Sequence, residues 1–251
     1  DALNKRLLGL TNDIANAQTV GYKGSRVEFE TIFSQVLREA QLQYETESQS
    51  PEDVSFGMGV RVGATLRDMS QGGLETTDNP YDLAISGQGF FQIQLPSGDT
   101  GYTRAGNFRV DNKNQLVTPQ GYALEPSVTI PTNTVDVTID PQGRIFVTMD
   151  GSSQAQQLGQ LTIAKFVNPA GLNAVGDNLY LGTEAAGDPQ IGYPGDDGFG
   201  NLAQFSLENS NVDVVARLAD LVLIQRNFDL IARAISAKNN MLQSAIQVAQ
   251  G

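Results

Sequence analysis

Two glycine pairs have the residue types that could begin a dinucleotide-binding loop, in which backbone N–H groups hold a pyrophosphate. Gly57-x-Gly59 and Gly87-x-Gly89 both lack the third glycine that such a loop requires. Both pairs lie immediately before apolar residues of predicted strands, at Val60 and Phe90. They are therefore interpreted as turns that lead into strands, and the sequence predicts no cofactor.

Acidic side chains offer two further kinds of chemistry. Asp188, Asp196 and Asp197 could supply oxygen ligands to calcium, but their spacing follows no known calcium loop, which favours a solvated turn. Two carboxylates could hydrolyse a glycosidic bond, although nothing in the sequence pairs any two of them. Because the chain has no His and no Cys, a nucleophile–base triad is unavailable. We predict no metal ion and no catalytic residue.

The clearest structural elements in the sequence are predicted helices at the two ends of the chain. Near the start, steps of four, three and four residues connect Leu3, Leu7, Leu10 and Ile14. Near the end, apolar, small or amide side chains alternate at steps of four and three: Val214, Leu218, Leu221, Gln225, Phe228, Ala232, Ile235, Asn239, Leu242, Ile246 and Ala249. Such spacing is typical of coiled coils. We call these two sets the seam and expect the ends to pack together.

The seam is also the predicted polymerisation surface. A stripe sustained over about five heptads is longer than a small domain needs, so something beyond the chain's own domain should cover it. Gln225 and Asn239 interrupt the apolar stripe. They are interpreted either as polar residues that set the register of the helices or as residues that face water in a channel.

Charge is distributed unevenly along the chain. Residues 39–208 contain seven basic and 21 acidic side chains, while residues 1–38 contain five and four and residues 209–251 contain four and three. The acidic middle disfavours a nucleic-acid partner, and near-neutral ends can pack beside copies of themselves. No apolar run approaches the roughly 20 residues of a membrane span, so no integral membrane segment is predicted.

The chain reads as an α+β protein whose helical domain is split between its ends. Residues 1–38 and 209–251 are assigned to terminal coiled-coil helices that form one helical domain, and the apolar positions from Val27 to Leu37 are read as an amphipathic continuation of the first. Residues 39–56 are polar and acidic and are assigned to an extended arm, with Tyr44 and Phe56 as its contact residues. Residues 57–208 alternate in strands and turns, which predicts an antiparallel β-rich domain.

Several segments resemble motifs of bacterial flagellar rod and hook proteins. They are NDIANAQTVGYK at 12–23, DLAISGQGFF at 82–91, YTRAGNF at 102–108, ENSNVD at 208–213 and QRNF at 225–228. The residues that carry the resemblance are Asn12, Ala15, Asn16, Gly21, Tyr22, Lys23, Gly87, Gly89, Phe90, Phe91, Asn211, Gln225 and Arg226. The chain departs from the family pattern at Asp13, which stands where the family has a second Asn, and at Asn114, where it commonly has Gly.

The resemblance implies a structural subunit of the flagellar basal body. It implies export through the flagellar type III apparatus and helical polymerisation into a hollow drive shaft that spans the periplasm to the outer membrane, with the terminal helices as inner tube and the β domain as outer layer. Because the chain opens at Asp1 without Met and its first helix is already in register at Leu3, we also expect a segment upstream of Asp1. Other rod and hook proteins and the surrounding ring proteins are the implied partners. The arm at 39–56 and the lack of a large inserted domain favour the distal part of the rod over a proximal rod or hook subunit. A secreted β-rich binding or adhesin-like module and a carbohydrate-active enzyme stay as alternatives.

Overall fold

A computed structural model describes residues 2–31, 35–36, 55–56, 60–151 and 154–250. These residues form two α-helices, α1 over Ala2–Ala15 and α2 over Val214–Gln250, with strands and one short 3-10 helix at Pro169–Gly171 between them. The strands are β1 Ser25–Thr31, β2 Gln35–Val36, β3 Ser55–Phe56, β4 Val60–Arg67, β5 Leu74–Thr76, β6 Leu83–Ser86, β7 Phe90–Gln94, β8 Thr100–Thr103, β9 Arg109–Val110, β10 Leu116–Val117, β11 Ala123–Glu125, β12 Thr134–Ile139, β13 Arg144–Met149, β14 Ala155–Gln160, β15 Ile163–Lys165, β16 Asn173–Gly176, β17 Leu179–Leu181, β18 Gln190–Gly192, β19 Asn201–Gln204 and β20 Ser206–Glu208. The predicted α+β class is confirmed.

Two compact units share these elements. The first, which we call the terminal unit, contains Asp1–Thr11, Ser25–Leu66 and Leu221–Gly251. The second, the β unit, contains Asn12–Gly24 and Arg67–Asp220. Among the described residues, no helix is both long and apolar enough to cross a membrane.

The terminal unit contains most of both helices and two small sheets. β1 pairs with β4, and β2 pairs antiparallel with β3. The predicted amphipathic helical continuation after α1 is wrong, because residues 25–31 form β1. Their sequence, SRVEFET, alternates polar and apolar side chains with period two, and the Arg61 guanidinium of β4 binds the Glu30 carboxylate of β1 at 2.9 Å. The strand partner outweighs any helical tendency of this stretch.

The β unit is built on a nine-stranded sheet. Its main path runs β16-β17-β8-β7-β11-β10-β9, and β15 joins β7 and carries β18 at its other edge. A three-stranded sheet, β12-β13-β14, and the pairs β19-β6 and β20-β5 complete the unit. The pairings of this unit are antiparallel, as the alternation at 57–208 predicts. Inward-facing apolar side chains from both larger sheets form the main core, around Phe91, Ile145 and Leu161.

Local sequence signals at the turns are confirmed. Asn114 has φ 60° and takes the left-handed conformation that the family more commonly gives to glycine. Asp213 caps α2, because its Oδ1 accepts hydrogen bonds from the backbone N–H groups of Val215 at 2.9 Å and Ala216 at 3.1 Å. Phe205 has φ 55° and separates two consecutive strands, β19, which pairs with β6, and β20, which pairs with β5.

Candidate functional site

Three segments of the family pattern meet at a buried charged cluster in the β unit. Glu208, at the end of β20, is fully buried, and its two carboxylate oxygens bind different cations. Oε1 lies 2.5 Å from the Lys23 ammonium and Oε2 lies 3.2 Å from the Arg104 guanidinium. We call Lys23, Arg104 and Glu208 the junction triad. Residues 185 positions apart in the chain are thereby joined in one ion pair.

Hydrogen bonds to the backbone satisfy most of the remaining polar groups of the triad. Lys23 Nζ donates to the Ser70 carbonyl at 2.6 Å, and Arg104 donates to the carbonyls of Ile85 at 3.2 Å and Gly87 at 2.7 Å. Burial lowers the pKa of Lys23, and the Glu208 carboxylate opposes that shift. With two cations and one anion, the triad holds one positive charge in excess inside the protein.

A second buried pair joins the end of α1 to the start of α2. The Asp13 side chain is buried and accepts a hydrogen bond from the Tyr22 hydroxyl at 3.0 Å. Its other carboxylate oxygen lies 3.3 Å from the Arg217 guanidinium. The expected contact between the terminal helices is confirmed at this ion pair. Asp13, the departure from the family pattern, therefore supplies a charge that pairs with Arg217, which the amide of Asn could not supply.

The Tyr22 hydroxyl should ionise late, and its titration is a direct test of this pair. Burial and the nearby Asp13 charge raise the pKa of Tyr22 to about 12. Because the raised folded-state pKa exceeds the ordinary value of 10.0, the stabilisation is present below pH 10 and is lost as pH rises towards about 12. A near-ultraviolet titration of the native chain minus that of Tyr22→Phe should show one tyrosine ionising near pH 12. A difference curve with its midpoint near 10 would contradict the buried Asp13–Tyr22 contact.

Gly21 and Asn211 fix the backbone around the triad. Gly21 has φ +68°, and a Cβ there would lie 2.5 Å from the Ala105 backbone nitrogen, so only glycine fits. Its N–H donates to the Glu208 carbonyl at 2.7 Å. The Asn211 amide accepts from the Gly24 N–H at 2.9 Å and donates to the Asp68 carbonyl at 2.8 Å. These motif residues are therefore placed at one junction between the chain's start, its β unit and α2.

The central motif residues lie at the beginning of β7. Gly87 and Gly89 have φ +114° and +146°, so both take conformations that other residues rarely adopt. Phe90 and Phe91 are buried on opposite faces of β7, where Phe90 lies 5.4 Å below the Arg104 guanidinium and Phe91 packs edge-on against Phe108. The interpretation of this glycine pair as a turn into a strand is confirmed.

The seam residues are distributed differently on the two helices. On α1, Leu10 is buried, and Leu3, Leu7 and Ile14 are half-buried. On α2, Leu221 and Phe228 are half-buried, whereas Gln225, Ala232 and Asn239 are exposed. The exposed fraction is 39% at Val214, 45% at Leu218, 56% at Ile235 and 52% at Leu242. The side chains of Ile246 and Ala249 lie outside the described residues. Burial of the seam in an assembly stays a prediction.

Other motif positions carry different local roles. Asn16 donates to the Asn12 carbonyl and side chain, both at 2.9 Å, and closes the turn that ends α1. Ala15 is exposed beside them, and Gln225 and Arg226 are exposed on α2. Of the predicted arm contacts, Tyr44 and the Phe56 side chain lie outside the described residues. Among the described residues, no group of acidic side chains could hold a metal ion, which includes the turn around Asp196.

The sequence indicates Lys23 as a site residue but not Glu208, which binds it, Arg104, which is the second cation on Glu208, or Arg217, which pairs with Asp13. The signal that could have found them is a charged residue at a position where a strand pattern calls for an inward-facing side chain. Arg104 follows β8 directly and Glu208 ends β20, and both are buried. A buried charge requires an opposite charge, which in this chain is supplied from a distant motif. Asn178, whose amide donates to the Val20 carbonyl at 2.9 Å, gave no such signal.

Comparison with known proteins agrees with this architecture. Residues 84–147 match the family model of the flagellar hook protein FlgE/F/G D1 domain, and residues 203–248 match that of the flagellar basal body rod FlgEFG protein C-terminal region. The flagellar basal-body rod protein FlgG of Caulobacter vibrioides is 42% identical over 240 residues, which cover 95% of this chain and 92% of the relative. FlgG of Bacillus subtilis is 34% identical over 242 residues, covering 94% and 90%.

The similarity to a hook protein is more limited. The flagellar hook protein FlgE of Helicobacter pylori is 41% identical over 116 residues, which cover 46% of this chain and only 16% of that protein. The rod proteins match along nearly the whole chain, so the alternatives of a hook subunit, an adhesin-like module and an enzyme are set aside. The chain belongs to the family of the flagellar basal-body rod protein FlgG and is a non-enzymatic structural subunit of the distal rod.

Proposed function

We propose that this subunit polymerises helically through its terminal helices. Residues 1–38 and 209–251 form the inner tube around an export channel, residues 57–208 form the outer layer, and residues 39–56 reach a neighbouring subunit through Tyr44 and Phe56. After type III export, the polymerised subunits form a rod that spans the periplasm to the outer membrane. Its neighbours are copies of itself, other rod and hook proteins and the surrounding ring proteins.

The observation that carries this proposal is the exposure of apolar side chains along α2. The helix has 37 residues and is therefore about 55 Å long. From Gln225 to Ser244 no side chain is buried, and Leu230 is 62% exposed and Ile235 56% exposed. Such a surface is unfavourable in water, and soluble chains cover it with a partner.

The apolar positions lie on more than one side of α2. Leu223 and Leu230 are two residues beyond the seam positions Leu221 and Phe228, which places them about 200° around the helix. Leu223 is 56% exposed. One partner helix cannot cover two opposite sides, whereas neighbours related by rotation and rise can. A heterologous contact repeated in this way generates a filament.

Truncation after Asp220 tests the proposal. The shortened chain keeps all residues of the β unit but loses the part of α2 that belongs to the terminal unit. We expect the full chain to form rods visible by electron microscopy at concentrations where the truncated chain sediments as a monomer and keeps the thermal transition of the β unit. Rods formed by the truncated chain would contradict assembly through α2.

A further inference from the structure

A cavity of about 390 Å³ opens beside the junction triad and has no assigned role. Its wall contains apolar side chains, including those of Met69, Phe90 and Phe166, and two cations, Arg104 and Lys165. None of the residues described as lining it is acidic. This composition is unusual in a chain with 28 acidic and 16 basic side chains.

Arg104 brings positive charge to the cavity wall. It shares the single Glu208 carboxylate with Lys23, so one of the three buried charges has no opposite charge within the triad. Its Nε is buried and has no hydrogen-bond partner in the described parts of the chain. A buried cation without a full complement of partners is costly, and an incoming anion would reduce that cost.

Lys165 brings a second cation to the same wall. It ends β15 and is half-buried, and its ammonium makes no hydrogen bond or ion pair with any residue that the structure describes. The next-but-one residue, Val167, also lines the cavity and is 79% exposed. The cavity therefore has a cationic wall and an apolar rim that is open to a neighbouring molecule.

We propose that this cavity receives a carboxylate side chain from a second copy of the chain, and that Lys165 pairs with it in the assembled rod. The inference rests on the proposed polymerisation. Charge complementarity selects the occupant, because residues 39–208 of every copy contain 21 acidic against seven basic side chains. The apolar rim would be covered in the same contact, and the pairing would occur away from bulk water, where it is strongest.

Carbodiimide coupling in assembled rods tests the proposal. The reagent joins an amine and a carboxylate that are already in contact into an amide, with net loss of one water. In rods assembled from a mixture of isotope-labelled and unlabelled chains, we expect mass spectrometry to find Lys165 joined to an Asp or Glu of a different copy. Dilute monomer should lack this link. Rods in which Lys165 stays unlinked while other lysines are coupled would overturn the proposal.

A matched pair of variants gives an independent measurement. Lys165→Gln removes the proposed pairing charge, and Lys113→Gln removes an equal charge from an exposed turn of the same unit. We expect Lys165→Gln to raise the critical concentration for polymerisation about five- to tenfold and Lys113→Gln to change it less than twofold. Equal effects would overturn the proposal and leave polymerisation itself intact. Failure of the unmodified chain to form rods would instead overturn the proposed function and this inference with it.

Discussion

Replacing Ile235 with aspartate is expected to abolish rod assembly and leave cells non-motile without unfolding the subunit. Ile235 is 56% exposed in the single chain, so the new carboxylate stays solvated there and the thermal transition of the β unit should not move. In the rod, loss of a buried isoleucine costs about 2–5 kcal/mol per subunit, and an unpaired buried charge adds to that cost. Sedimentation, electron microscopy and swimming assays measure the result.

The control for this variant adds the same charge to the same helix. Asn240 is exposed and lies about 140° around α2 from Ile235, on the side that also carries Asp229 and Arg233. Asn240→Asp should therefore assemble nearly normally, because its carboxylate remains among polar side chains. Normal rods from Ile235→Asp, or equal failure of both variants, would remove the seam as the explanation of assembly.

Replacing Glu208 with glutamine is expected to destabilise the β unit more than any other conservative change at the junction. The variant removes the one carboxylate that contacts both buried cations, Lys23 and Arg104, which costs about 3–5 kcal/mol. For a unit of this size that loss corresponds to a fall in Tm of about 6–20 °C. Calorimetry of the purified chain measures it.

The pH dependence of the stability lost in Glu208→Gln shows whether the loss comes from unpaired charge or from altered packing. Without Glu208, the pKa of Lys23 should fall further below its ordinary value, because burial already lowers it and the opposing carboxylate is gone. The variant should therefore regain stability as pH rises between the folded-state and unfolded-state pKa values of Lys23. Glu184→Gln, at an exposed position, is the control and should change stability by less than about 0.5 kcal/mol. A Tm for Glu208→Gln equal to that control would contradict the account of the triad.

Much of the fold could be predicted because period and turn chemistry are local properties. Asp213 marks the start of α2, and Asn114 marks a left-handed turn, through interactions with neighbouring residues only. β14, with the sequence AQQLGQ, cannot be predicted in this way, because it shows no regular alternation and is held by pairing with β13. β1 does alternate with period two, but we predict a helical continuation there from the sequence, because the partner that decides its conformation, β4, lies more than 30 residues away.

The junction could be predicted only in part. The family motifs pointed to Gly21, Tyr22, Lys23 and Asn211, which the structure brings together. Their charged partners could not be paired from the sequence, because nothing local tells which of 28 acidic side chains meets Lys23. The same limit applies to the seam, where heptad spacing predicts an apolar stripe but does not identify the chain that covers it.

An image reconstruction of rods assembled from this chain tests the central claim most directly. We predict that Leu218, Ile235 and Leu242 of α2 are covered by terminal helices of neighbouring copies, with the seam of α1 in the same layer. We also predict that the β unit keeps the junction triad of the single chain. A reconstruction in which the exposed seam of α2 faces solvent or an open channel, with neighbouring copies joined only through their β units, would contradict assembly through the terminal helices.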